Sequence, residues 1–156
     1  MSKSDALDAV LRVGRERERN AARELGRARQ ELDQGRALLG QLIGHRDEYR
    51  ANLIRRGVGG VEAARLLQYR HFLTRLDRAI EEQRKRITAL EAQVENQRRA
   101  WLESRRHLQA VEKLAEKRRT EALLRELRRE QAETDDRNGM ARGGSSKDTY
   151  FVGWLE

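Results

Sequence analysis

From Leu7 to Leu53 the apolar positions advance in steps of four and three. One line runs Leu11, Glu18, Leu25, Leu32, Leu39, Arg46, Leu53; the other runs Leu7, Gly14, Ala21, Ala28, Gly35, Leu42, Tyr49. These lines are the a and d positions of a coiled-coil heptad. Two a positions are charged and two d positions are glycine, so this seam is weak. The second half carries a firmer one. Leu66, Leu73, Ile80, Ile87, Val94, Trp101, Leu108, Ala115 and Ala122 recur every seven residues, with d partners Tyr69, Leu76, Gln83, Leu90, Gln97, Ser104, Val111, Arg118 and Arg125. A strict seven-residue repeat implies a left-handed supercoil.

Between the halves, Gly57, Gly59 and Gly60 interrupt the pattern and supply turn conformations. The chain therefore reads as an all-α antiparallel two-helix coiled-coil hairpin with unequal arms: helix 3–55, turn 56–60 and helix 61–136. At about 1.5 Å per residue the arms differ by roughly 35 Å. Folding about Val58 sets residue i opposite a residue near 117 − i. Helix 1 then runs out near position 113, where the second seam decays to Ala115, Arg118, Ala122 and Arg125. The same register places Trp101 near Gly14 and Ala21, a bulky knob facing small residues. Gly26, Gly40 and Gly44 lie outside the seam. With Gly14 and Gly35 they weaken helix 1, each by about 0.5–1 kcal/mol relative to alanine.

Past Asp135-Asp136, Asn138-Gly139 is a helix-stop signal. Residues 137–156 then read as a flexible tail. It closes on Tyr150-Phe151-Val152-Gly153-Trp154-Leu155, either a short docking peptide or a frayed end.

Composition narrows the function. Charged residues make up 38% of the chain and apolar residues 37%, too little for a thick core. Proline is absent, as a long helix requires, and cysteine is absent, which excludes disulfides and thiolate metal sites. His45, His71 and His107 are too scattered for a local metal motif, and nothing matches a phosphate-binding loop. A thin rod offers no enclosed pocket in which to tune a carboxylate, so no enzyme, cofactor or small-molecule substrate is expected. No segment approaches the ~20 apolar residues of a membrane span, and Met1–Asp5 is not followed by a secretory signal core, so a cytoplasmic protein is expected.

The net charge of +8 admits nucleic acid as a partner, but acid and base are interleaved, as in Arg15-Glu16-Arg17-Glu18-Arg19, and stacking aromatics are few. Lys113, Lys117, Arg118, Arg119, Arg125, Arg128 and Arg129, with Arg12, Arg15, Arg17 and Arg19, form a basic patch suited to an acidic protein surface rather than to specific nucleic acid.

The Glu48-Tyr49-Arg50 and Asn52-Leu53 cluster, Tyr69, Phe72, Leu76, Ala79, Ile80 and Gln83, and the late Glu130-Gln131 and Asp135-Asp136 pairs together resemble the FliJ family of flagellar export proteins. Off-seam residues such as Arg50, Asn52, Phe72 and Ala79 carry this resemblance, since heptads match one another by periodicity alone. It implies a stalk like the shaft of a rotary ATPase, whose two-ended tip docks in the hexameric export ATPase ring. It implies also a stripe of helix 2 that touches the linker of the membrane export gate, at the inner face of the membrane. The gate-contact pattern falls on Phe72, Leu76 and Ala79. The ring-docking surface is assigned to the end of helix 2, at Arg118, Arg125, Leu123, Leu124 and Leu127. Substrate export chaperones are a further partner class left open. Competing readings are a virulence secretion stalk, a nucleic-acid-binding coiled coil, and a structural dimer zipped through the 66–125 heptads of two chains.

Overall fold

The computed structural model describes residues 2–57 and 62–145. Two helices account for nearly all of them: α1, Lys3–Gly57, and α2, Ala63–Ser145. They pack side by side in antiparallel directions. At about 1.5 Å per residue, α1 is ~80 Å long and α2 ~125 Å.

The start of α1 is set by a capping box. The Asp5 amide donates to the Ser2 hydroxyl at 3.3 Å, and the Ser2 amide donates to the Asp5 carboxylate at 3.2 Å. The Ser2 amide thus gains a partner outside the helix, and the Asp5 amide is shared between the Ser2 hydroxyl and the Ser2 carbonyl at 3.1 Å. At the other end, Arg55 and Arg56 sit in the last turn, where cations complement the helix dipole.

Every expected α1 seam position from Leu7 to Leu53 is buried or half-buried, and so is every α2 seam position from Tyr69 to Ala115. The core is a line rather than a volume. Leu11 meets Val111 and Ala115, with Leu7 and Leu108 alongside. Farther along, Leu32 meets Ile87 and Leu90, flanked by Leu39 and Val94. Ile80, Leu25 and Ala28 continue the row. Each buried leucine or isoleucine contributes about 1.5–3 kcal/mol. The heptads of α2, which a two-chain zipper would use, are therefore covered by α1 of the same chain.

The weak points of the first seam are compensated across the interface. Glu18 accepts a hydrogen bond from the Trp101 indole at 2.9 Å. Arg46 reaches the Asp77 carboxylate at 3.8 Å. Gly14 admits Leu108, whose Cδ1 would lie 3.3 Å from an added Cβ. Gly35 admits Leu90, Gln83 and Ile87, and its carbonyl accepts the buried Gln83 amide at 3.0 Å. Gln83, a polar d residue, is buried because that carbonyl satisfies it.

Three boundaries depart from the sequence reading. The expected turn began at Arg56, but Arg56 and Gly57 complete α1, and α2 begins at Ala63 rather than 61. Val58–Val61 lie outside the described residues. Facing residues near the open end therefore sum to about 122 instead of 117, a midpoint near 61, as in Leu11 with Val111 and Gly14 with Leu108. Trp101 meets Glu18, between the Gly14 and Ala21 expected for it, while it is Leu108 that fills the space at Gly14.

The third departure is at the far end. Asn138-Gly139 does not end α2, which runs on to Ser145 and so takes in the first part of the expected 137–156 tail. An isolated glycine costs a helix only about 1 kcal/mol relative to alanine, and Met140, Ala141 and Arg142 beyond it are good helix formers. The Tyr150–Leu155 segment lies outside the described residues. Among the described residues, no helix is long and apolar enough to cross a membrane.

Candidate functional site

Past Ala115, no residue of α2 as far as Arg142 is even half-buried. Leu7, the first seam residue of α1, packs beside Ala115, so α1 ends there and roughly 40 Å of α2 continues alone. Local interactions sustain this single helix. Arg129 pairs with Glu126 at 3.0 Å, and the Thr120 and Thr134 hydroxyls donate to carbonyls one turn earlier.

The residues assigned here to ring docking are all exposed, but they do not share one face. Arg118 and Arg125 prolong the d line of the seam. Leu123, Leu124 and Leu127 occupy the b, c and f positions on the opposite side, at 62%, 47% and 51% exposure. The bare end thus has a basic side facing where α1 would have been, and an apolar side at its back.

The gate-contact residues lie near the turn end. Phe72 is exposed on the flank, while Leu76 and Ala79 are half-buried against α1. Phe72 is not a free ring. One face rests on Tyr49 of α1, centroids 4.5 Å apart and planes at 49°. Tyr49 also meets Tyr69 at 5.1 Å and 57°. Tilted aromatic pairs at these distances fix one another's orientation. The Tyr69 hydroxyl accepts a hydrogen bond from Arg56 at 3.0 Å, which ties the cluster to the last turn of α1. Partial burial raises the Tyr49 pKa above its ordinary 10, Tyr69 adds to the rise, and Arg56 opposes it. Arg50 joins Arg46 at Asp77, at 3.7 Å. Phe72 therefore stands partly exposed at the edge of a three-ring aromatic cluster. Tyr49 was legible as a seam residue and as part of the Glu48-Tyr49-Arg50 cluster, not as the support of Phe72. Its contact with Phe72 depends on the register, since the expected one set Gln68 opposite Tyr49, four residues short of Phe72.

The hollows along the rod, such as the one between Gly14, Arg17, Ala100, Glu103, Ser104 and His107, open to solvent. Among the described residues no cluster of histidines and carboxylates could hold a metal ion. The strongest local charge effect is at Glu95, where hydrogen bonds from Arg98 hold the carboxyl down at about 2, with Arg99 assisting. All three side chains are on one exposed face of α2, a pattern that stiffens a helix.

What this geometry can do is present surfaces: an aromatic platform at one end and a bare helix at the other. The family model for the flagellar FliJ protein matches residues 2–146. The flagellar FliJ proteins of Salmonella typhi and of Escherichia coli strain K12 are each 31% identical over 136 residues, covering 87% of this chain and 92% of theirs. From residue 2 to residue 146, this chain belongs to the flagellar FliJ family.

Proposed function

We propose that this protein is a non-enzymatic stalk of the flagellar export apparatus. It docks by the bare end of α2 in the ring of the hexameric export ATPase and promotes the ring's assembly and activity. Through the Phe72 platform it couples the ring to the linker of the membrane export gate. It acts in the cytoplasm, at the inner face of the membrane. Membership of the flagellar family supports the setting. The observation that carries the mechanism is the ~40 Å of α2 that outruns α1, charged on one side and apolar on the other. A ring that closes on this helix can cover both sides at once, which a flat partner cannot.

The experiment is to mix the purified chain with the cognate export ATPase and follow ring formation and ATP hydrolysis. Both should rise with stalk concentration. Arg118→Glu/Arg125→Glu should weaken the effect, and what remains should fall further with salt. Leu123→Ser/Leu127→Ser should weaken it with little salt dependence. Phe72→Ala should leave ATPase stimulation intact and reduce binding to the gate linker. No change in ring formation or hydrolysis over a wide concentration range rejects the proposal.

A further inference from the structure

Where the two helices are paired, from Leu7 to Leu53 and from Tyr69 to Ala115, five large apolar side chains stand between 39% and 47% exposed: Val10, Val13, Leu38, Phe72 and Leu114. All five fall at g or c. The g flanks of the two antiparallel helices lie on one side of the rod and the e flanks on the other, as the e-to-e pairs Arg36–Glu91 and Arg50–Asp77 show. Of the 26 g and c positions in this section nine are charged, and of the 26 e and b positions eighteen, so the rod has one charged flank and one sparsely charged, apolar flank. The hollow beside Gly14 opens on the apolar side, between Val10, Val13 and His107.

These residues gather at two heights, Val10, Val13 and Leu114 near the open end and Leu38 and Phe72 toward the turn. A two-fold axis across the rod at Leu25 and Gly26 brings one group against the other in a second, antiparallel copy. Along the g and c column of α1 it sets Val13 on Leu38, Glu24 on Arg27 and Lys3 on Glu48, each contact made twice, and no two like charges face. Sliding one heptad either way sets Arg17 on Arg27, or Val10 on Glu48, and separates Val13 from Leu38. Along α2 the same axis sets Leu114 on Ala79 and Gln93 on Ala100, and the like pair Arg75 and Lys117 falls past the end of the overlap. Every helix then has antiparallel neighbours, as in an up-down four-helix bundle. The overlap runs ~55 Å along a flank ~15 Å wide, roughly 800 Å² from each copy, which is the area of a stable dimer. An unrelated helix needs no such self-complementarity in this chain, and a ring that encircles the rod would not meet one flank alone.

We infer that two copies of this chain pair antiparallel through their g and c flanks, joined by Val13 with Leu38 and by Glu24 with Arg27. The inference does not rest on docking of the bare end in an ATPase ring. The pairing covers Ala79 and the edge of Phe72, so it and a gate contact at those residues exclude one another.

The test is light scattering and sedimentation equilibrium of the full chain by itself, with no ATPase or gate protein, at about 10–100 μM. The mass should be twice the 18.2 kDa of one chain. Val13→Glu/Leu38→Glu should weaken the dimer more than about a hundredfold and return the monomer mass, with an unchanged circular dichroism spectrum. Ile54→Glu/Leu67→Glu, at exposed aliphatic residues off this flank, should stay dimeric. Glu24→Arg should weaken the dimer about tenfold, and the swap Glu24→Arg/Arg27→Glu should restore it. The chain has no cysteine, so under oxidised glutathione Val13→Cys/Leu38→Cys should become a disulfide-linked dimer while Val13→Cys alone should not. A monomer over the whole concentration range overturns the inference. So does a dimer that survives Val13→Glu/Leu38→Glu, or one linked through Val13→Cys alone. A dimer dissolved instead by Leu123→Ser/Leu127→Ser would place the contact on the bare end and overturn it as well.

Discussion

Replacing Gly35 by alanine should destabilise the hairpin, while the same change at Gly40 should stabilise it. Both glycines lie within α1, so both substitutions gain the helix propensity of alanine, about 0.5–1 kcal/mol. Nothing lies within 4 Å of a Cβ added at Gly40, and that gain should appear in full. At Gly35 the new methyl group would lie 3.1 Å from Leu90 Cδ1 and 3.4 Å from Gln83 Nε2. Neither neighbour is free to move. Leu90 is buried in the cluster with Leu32 and Ile87, and Gln83 is held by its bond to the Gly35 carbonyl. Overpacking of this kind costs about 1–3 kcal/mol, more if the Gln83 bond is lost. Gly35→Ala should therefore fall below Gly40→Ala by about 1–3 kcal/mol. At about 1–3 kcal/mol per molar urea, the midpoints of urea unfolding followed at 222 nm should separate by on the order of 1 M. A Gly35→Ala midpoint equal to or above that of Gly40→Ala would falsify the close approach described at this position.

Further outcomes follow from other contacts. Glu18→Ala leaves the half-buried Trp101 indole without its acceptor and should lower stability by about 1 kcal/mol, whereas Glu18→Gln keeps an acceptor and should lose less; equal losses would rule out the bond. In carbon-detected NMR titration Glu95 should stay ionised down to pH about 2, and Arg98→Ala should return it toward the ordinary 4.5. Because this carboxyl is depressed in the folded state, whatever it contributes to stability is complete above pH 4.5 and is lost as pH falls toward 2. Its exposure keeps that contribution small. Amides from Glu116 to Arg142 should exchange with solvent much faster than those from Ile80 to Val111, since the far stretch buries no side chain; uniform protection along α2 would contradict an unpartnered end.

The pairing of the arms was readable because a seven-residue repeat is a local property. Whether Leu25 or Ile80 is buried depends on periodicity and scarcely on the partner, and those positions are indeed inside. The resemblance to the family was readable too, from off-seam residues such as Phe72 and Ala79. The end of α2 was misread, because Asn138-Gly139 is a stop signal only where something else competes for the chain. On an exposed helix a single glycine is a small penalty among good helix formers.

By itself, then, the sequence determined the class of object: two long helices, a break between them, one seam, and arms of different length. Heptad spacing, the absence of proline and the cluster of glycines act within a few residues of where they stand, and need no knowledge of the rest. Only the tertiary structure decided the register between the arms. It set Glu18 on Trp101, Arg46 on Asp77, Gly35 on Leu90 and Tyr49 under Phe72. A register is a sum over the whole interface, and the turn's few residues shift every pair at once. That is why a fold point misplaced by two to three residues moved the facing pairs by about five on average.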